Sequence, residues 1–308
     1  MNENIRTITV PIVIIVFNRA DLAALLLDRL SQFRLCKLYI VMDGPRDGNR
    51  QDVEERIKII DMLDQIKFAD CIESQIADEN MGCRDRVVSG LNWVFSKEES
   101  AIILEDDCLP SNTFLHFCEL MLDKYKDDER VGVISGTNLI ESSGKDNTYH
   151  FSKYCNIWGW ASWRRVWDNY DVKMSLLNEE NLKNLRGRFN YKYEYKFWRA
   201  VFSQTKSGGI GTWDYQLWLS VWLNGQTSII PSVNQIDNLG FGHTNATHTG
   251  TPHPANHIKA GNMAFPLVEP PSMLPDAESD KRIFNLLYKF PPIVMRVKNK
   301  LIRMFLGN

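Results

Sequence analysis

No apolar stretch in the 308 residues reaches the roughly 20 needed to cross a bilayer as a helix. The first apolar run follows Glu3 and Arg6 and ends at Asn18-Arg19 after about ten residues, so it does not read as a secretory signal. Neither charge is in excess. The 36 basic and 38 acidic residues leave a net charge of −2, which argues against nucleic acid as a partner. The six cysteines (36, 71, 83, 108, 118, 155) include no CxxC pair. That speaks against a disulfide scaffold and a thiolate zinc site, and for a reducing, cytoplasmic compartment. No internal repeat is found. Hydrophobic residues at 44% and charged residues at 24% exclude a disordered chain.

The near-zero charge hides a segregation. Residues 281–308 hold seven Lys/Arg and no Asp or Glu, which leaves −9 on the first 280.

The first 135 residues alternate short apolar runs with amphipathic segments. The pattern predicts strands over 8–17, 37–42, 70–77, 101–104 and 131–135. It predicts helices over 20–33, 53–66, 84–95 and 111–125, the last capped by Ser111 or Asn112. Such alternation implies an α/β fold with a mostly parallel sheet covered by helices on both faces. These sheets bind ligands beyond the carboxyl ends of their strands. Three predicted strands end in polar residues: Asn18-Arg19, Asp43-Gly44 and Glu105-Asp106-Asp107. Parallel strands would bring those tips to one crevice.

Three carboxylates directly after a buried strand repel one another, and burying them uncompensated is costly. A divalent cation would relieve them, because Mg²⁺ binds through one or two carboxylates plus substrate phosphates. The triplet alone also fits an acidic loop before a helix. Asp43-Gly44 fits either a ligand contact or a plain turn, given Pro45. Asn18-Arg19 suits a diphosphate, or a solvated arginine opening a helix. Asn80-Met81-Gly82 precedes a helix whose Arg84 and Arg86 would point toward the same place.

Residues 151–225 hold eight of the nine tryptophans. Trp163, Trp167, Trp218 and Trp222 pair at i, i+4 spacing and read as core. Trp158, Trp160 and Trp213 lie beside turns and are candidates for stacking on a sugar face. Eight of the twelve prolines lie between 252 and 292, and 244–280 reads as an extended excursion or lid.

In this order, strand-Asn-Arg, strand-Asp-Gly, Asn80-Met81-Gly82-Cys83-Arg84 and Ile102-Ile103-Leu104-Glu105-Asp106-Asp107 resemble the nucleotide-sugar half of a GT-A glycosyltransferase. Further segments are similar to the inverting N-acetylglucosaminyltransferase I type. They are residues 157–163 (IWGWASW), Gly211-Thr212-Trp213-Asp214, Pro231 and Leu239-Gly240-Phe241-Gly242. Over about residues 8–245 the chain resembles bacterial surface-polysaccharide (HlpA-like) glycosyltransferases.

The resemblance implies a set of roles. Asp107 would be the principal ligand of Mn²⁺ or Mg²⁺, with His243 a second candidate for metal or diphosphate. Asp106 would contact the ribose or donor sugar, supported by Glu105. Asp43 would bond a uracil-type base. Asn18, Arg19, Arg84 and Arg86 would meet base or phosphate. Trp158, Trp160 and Trp213 would form an acceptor platform, and Asp214 would be the general base. Tyr215 stands where the eukaryotic relatives repeat the Asp, so Asp214 is the segment's single carboxylate.

The implied activity is metal-dependent, inverting transfer from a UDP-sugar to a glycan or lipid-linked acceptor. A sugar nucleotidyltransferase and a non-catalytic sugar-binding module of the same fold are the alternatives. The missing glycine-rich loop after strand 1 counts against the nucleotidyltransferase. The expected organisation is a nucleotide-sugar half (1–140), an acceptor half of the same domain (151–245), a lid (246–280) and a basic amphipathic helix (281–308). That helix suits an anionic membrane surface, placing the protein peripherally on the cytoplasmic face of the inner membrane, or else docks on the domain.

Overall fold

The computed structural model describes residues 5–140, 146–243 and 258–288. The first half follows the sequence pattern closely. In chain order it runs β1 (Thr7–Ile8), β2 (Ile12–Val16), α1 (Ala20–Leu30), β3 (Arg34–Met42), α2 (Arg50–Leu63), β4 (Ala69–Ile76), α3 (Cys83–Phe95), β5 (Ser100–Glu105), β6 (Cys108–Pro110), α4 (Phe114–Lys124) and β7 (Val131–Ser135). Pro11 splits the first expected strand into β1 and β2, since it has no N–H to give a ladder. Thr113, not Ser111 or Asn112, is the N-cap residue of α4.

The second half adds β8 (Tyr149–Ser152), β9 (Trp160–Trp163), α5 (Arg164–Trp167), α6 (Glu179–Leu185), α7 (Lys192–Lys206), α8 (Asp214–Leu223), β10 (Thr227–Pro231), β11 (Ile236–Asn238) and α9 (Ala277–Leu287).

The main sheet runs β4-β3-β2-β5-β9-β7-β10-β8, with β1 also paired to β3. Strands β4, β3, β2 and β5 are mutually parallel. Strand β9 enters antiparallel between β5 and β7, and β8 closes an edge antiparallel to β10. Residues 160–163 of the tryptophan-rich segment are therefore a strand of the central sheet. All five residues of β2 (IVIIV) are buried, the mark of a strand covered on both faces. The expected α/β architecture is thus the one observed. Strands β2, β3 and β4 follow each other outward on one side, and β5 returns to the other side of β2. Strand order reverses there, which is where such sheets leave a crevice at the carboxyl ends.

Behind the sheet's second half, α7 and α8 pack Trp198, Trp218 and Trp222 around Tyr154 and Tyr288, with ring centroids 4.8–6.3 Å apart. Trp163 and Trp167 are buried as well, so all four paired tryptophans are core.

Of the expected lid, residues 258–280 are described: 277–280 open α9, and 258–276 contain no helix or strand. That stretch is a strap pinned along the body: Gly261 N donates to Asn234 O at 2.8 Å and Met263 N to Thr113 Oγ1 at 2.9 Å. None of it lines the crevice described below. The start of the expected basic helix belongs to α9, whose Ile283 and Phe284 are buried in the core. The remainder, 289–308, and the histidines 248, 253 and 257 lie outside the described residues. Among the described residues no helix is long and apolar enough to cross a membrane.

Candidate active site

A crevice of about 360 Å³ opens at the switch point. Asn18 and Arg19 reach it from the end of β2, Asp43 and Arg46 from beyond β3, and Glu105, Asp106 and Asp107 from the end of β5. Gly82, Cys83 and Arg86 come from the start of α3. Trp158, Thr212, Trp213 and Asp214 close the opposite wall. The topology thus gathers the polar strand tips, and two segments from the second half face them.

The acidic tip is crowded. Burial comes first, then the charges of Asp107 and Asp106, in holding Glu105 well above the usual carboxylate range. Asp214, which lines the same crevice, adds to the same repulsion. Burial also raises Asp106, with Arg19 opposing. Arg19 Nη2 and Nε engage the two oxygens of Asp106, Nε at 3.3 Å, and Nη1 meets Asp107 Oδ2 at 2.8 Å. Burial disfavours the Arg19 charge, but the two carboxylates outweigh it and leave the guanidinium pKa raised.

The Glu105 carboxylate makes no hydrogen bond among the described residues. At Gly240, an added Cβ would lie 2.3 Å from Asp107 Oδ2, so only glycine allows that carboxylate its position. Among the described residues no three His, Cys, Asp or Glu side chains converge as a ready-made metal cage. This donor set fits Mg²⁺ or Mn²⁺, which is content with one or two carboxylates and completes its shell with phosphate oxygens and water.

Asp43, expected to contact a base, lines the crevice with its carboxylate engaged by the chain itself. Its carboxylate accepts from Gly44 N (2.9 Å), Met81 N (2.9 Å), Gly82 N (3.0 Å) and Asn80 Nδ2 (3.1 Å). Four donors fill a carboxylate's acceptor sites. Asp43 therefore ties the end of β3 to the turn before α3, where Gly82 has φ +79° and hands over to Cys83. Arg86, 3% exposed, donates to Gln75 O and, at 3.2 Å, to Ser89 Oγ. Its buried Nε has no partner. Burial lowers its pKa, with only Asp43's charge in opposition. Asn18 donates to Asp52 Oδ1 at 2.8 Å, and the same carboxylate holds Arg46 through Nε (2.7 Å) and Nη2 (2.8 Å). The Arg46 bonds outweigh burial, which acts the other way, and with the Asn18 bond pull Asp52 down to about 2. Arg46 also lies over the Phe17 ring at 5.7 Å.

On the far wall Asp214 opens α8, where the helix dipole favours a negative charge. Thr212 Oγ1 and Tyr215 N, the latter at 2.9 Å, both donate to its Oδ1. Gln216 Nε2 donates to Thr212 O at 2.8 Å and Tyr170 OH to Trp213 O at 3.1 Å, which fixes the turn. Trp158 lines the crevice with its ring edge-on to Phe241. Trp213 lines it too, stacked at 5.7 Å on Trp160.

Three expected site residues stand apart from this wall. Trp160 is 1% exposed, a core ring behind Trp213 and not a platform. Arg84 pairs with its neighbour Asp85 on the surface, Nε to Oδ1 at 2.7 Å. His243 does not line the crevice, and its Nε2 meets Asp21 Oδ2 at 3.1 Å. Conversely, Arg46, Thr212 and Asn238 line the crevice without having been singled out from the sequence. Arg46 carried a signal, as a cation two residues beyond Gly44.

No family model matches the chain, and no curated protein matches it. Solved structures give weak likenesses. The mannosyltransferase PcManGT from Pyrobaculum calidifontis, in complex with GDP-Man and Mn²⁺, is 16% identical over 69% of each chain, TM-score 0.37. S. aureus TarS 1–349 is 12% identical over 53% of this chain and 49% of that one, TM-score 0.37. A UDP-glucose pyrophosphorylase complexed with UDP-glucose is 10% identical over 52% of this chain and 78% of that one, TM-score 0.31. At such values the likeness decides nothing, and the crevice itself carries the functional reading.

Proposed function

We propose that this crevice binds a nucleotide-diphosphate sugar, with UDP as the nucleotide, and transfers the sugar with inversion to a hydroxyl of a glycan or lipid-linked acceptor, as in surface-polysaccharide assembly. The observation that carries the reading is that one crevice holds two kinds of carboxylate site. The triplet at the β2–β5 switch shares it with Asp214, a separate carboxylate oriented by Thr212 and Tyr215 N.

Transfer needs an acceptor hydroxyl that loses its proton as it attacks. Asp214 takes that proton. Its two donors fix the carboxyl plane, so the base is oriented before substrate arrives. The departing nucleotide gains negative charge, which calls for fixed positive groups. Arg46 and Arg86 serve there, Arg46 held in place by Asp52. Asp107, with Asp106, would hold Mn²⁺ or Mg²⁺, which when bound offsets charge on the leaving diphosphate. Trp158 and Trp213 offer apolar faces to a sugar ring. A single base suits direct displacement, whereas retention needs a carboxylate acting as nucleophile.

Purified protein given a panel of labelled nucleotide sugars and Mn²⁺ is expected to release UDP in a metal-dependent way. No release from any donor, together with no thermal shift on adding UDP and Mn²⁺, overturns the reading.

A further inference from the structure

Arg19 lines the crevice with its guanidinium already committed to carboxylates. It leaves β2 as the N-cap residue of α1, and its guanidinium turns back onto the acidic tip of β5. One fork spans both oxygens of Asp106, while Nη1 bonds Asp107 Oδ2 at 2.8 Å. Both partners are largely dry: the Arg19 side chain is 15% exposed and that of Asp106 2%. In the protein alone, then, the cation position of the crevice is held by the chain's own side chain.

That arrangement sets a competition. A divalent cation on Asp106 or Asp107 would compete for the oxygens that Arg19 bonds, and it would lie beside a guanidinium of the same sign. Arg19 also has an alternative partner, because phosphate oxygens accept the same paired N–H donors that carboxylates do. A diphosphate therefore offers Arg19 a new ligand in the same event in which the metal takes its old one.

We propose that Arg19 is an exchangeable counter-ion. It holds Asp106 and Asp107 while the crevice is empty, and passes to the diphosphate when metal and nucleotide enter together. The proposal rests on the nucleotide-diphosphate reading above. Two consequences follow. Metal alone binds weakly, since it must expel Arg19 with nowhere to send it. Metal and nucleotide strengthen each other's binding, by the same factor in each direction.

The test is Mn²⁺ titration, followed by the electron paramagnetic resonance of the free ion, on wild type, Arg19→Gln and Arg19→Lys, each with and without UDP. Without UDP, Arg19→Gln is expected to bind Mn²⁺ at least about tenfold tighter than wild type, and Arg19→Lys to fall between them. UDP is expected to tighten Mn²⁺ binding strongly in wild type and weakly in Arg19→Gln. Equal Mn²⁺ affinity in wild type and Arg19→Gln without UDP overturns the exchange, as does an undiminished effect of UDP in Arg19→Gln. Circular dichroism establishes that the variants fold. Should Arg19→Gln not fold, Arg19→Lys decides, and unchanged Mn²⁺ affinity there overturns the proposal. The two readings separate cleanly. UDP release from a donor with unchanged Mn²⁺ affinity in the variants keeps the transferase and removes the exchange. The expected Mn²⁺ series without UDP release from any donor keeps the exchange and the nucleotide-diphosphate site and removes only the transfer step.

Discussion

Asp214 shows how little chemistry one carboxylate needs once its surroundings fix it. Its helix, the Thr212 hydroxyl and the Tyr215 amide set its orientation, and none of these depends on substrate. Asp214→Asn keeps the shape and loses the proton acceptor. Transfer is expected to drop by about 10²–10⁴-fold, the usual worth of a general base, while UDP affinity stays within about twofold. UDP-release rates and a UDP titration measure the two halves. Full turnover in Asp214→Asn would place the base elsewhere. At this scale the sequence was partly legible. The carboxylate triplet alone also fitted an acidic loop; it stood out because several polar strand tips converge. Asp43 was one of those tips, yet it accepts from four local donors, and no pattern in the sequence distinguishes a carboxylate that meets a ligand from one that caps a turn. Trp160 and Trp213 looked alike beside their turns. Stacking puts one in front of the other, and only tertiary packing decides which faces the crevice.

The elements that carry the strand tips were the most legible part of the chain. Buried β2 is all Ile and Val, β5 has the buried centre Ala101-Ile102-Ile103-Leu104, and α1 keeps a clear apolar stripe. The short strands β6, β8, β9 and β11 were not legible. They have three or four residues each, too few for a period, and β9 takes its place by pairing with β5 and β7, which lie far away in sequence. The spacing of helix against sheet sets how the crevice walls meet, and α3 is the case in point. Gly90 on α3 faces Val41 on β3, where an added Cβ would lie 2.4 Å from Val41 Cγ1. Gly90→Ala must push α3 off the sheet or twist Val41 from its rotamer. A stability loss of about 1–3 kcal/mol is expected, the usual cost of overpacking, measured by chemical denaturation. Because α3 also carries Cys83 and Arg86, UDP affinity should weaken in the same variant. Restoring space with Gly90→Ala/Val41→Ala should recover part of the affinity. An unshifted midpoint in Gly90→Ala would mean that α3 and β3 separate freely.

At the scale of the whole molecule, α9 brings the last described segment back to β8. Its anchor is Asp280, which accepts from Ser152 Oγ at 2.5 Å and Lys153 N at 3.3 Å. Beside it Lys153 Nζ pairs with Glu194 Oε1 at 2.8 Å, and both side chains are almost wholly buried. Burial raises Asp280 to about 6; Lys153 and the Ser152 hydroxyl oppose the rise, and Glu194 reinforces it. The sign follows from linkage. A carboxyl raised in the folded protein above its unfolded value of 3.8 favours folding in its protonated form. That contribution is complete below about pH 4, shrinks as pH climbs, and is gone once pH passes about 6. Other carboxyls titrate in the same range, so the comparison must be with Asp280→Asn, which keeps an acceptor and has no charge to bury. Unfolding free energies of both proteins, taken at about pH 4.5 and about pH 7.5, should converge or diverge accordingly. Wild type is expected to lose about 2 kcal/mol relative to Asp280→Asn as pH rises across that range. A difference that stays level would mean that Asp280 remains ionised in the folded protein, with Lys153 shared between it and Glu194, and that α9 is held by an ion pair at every pH.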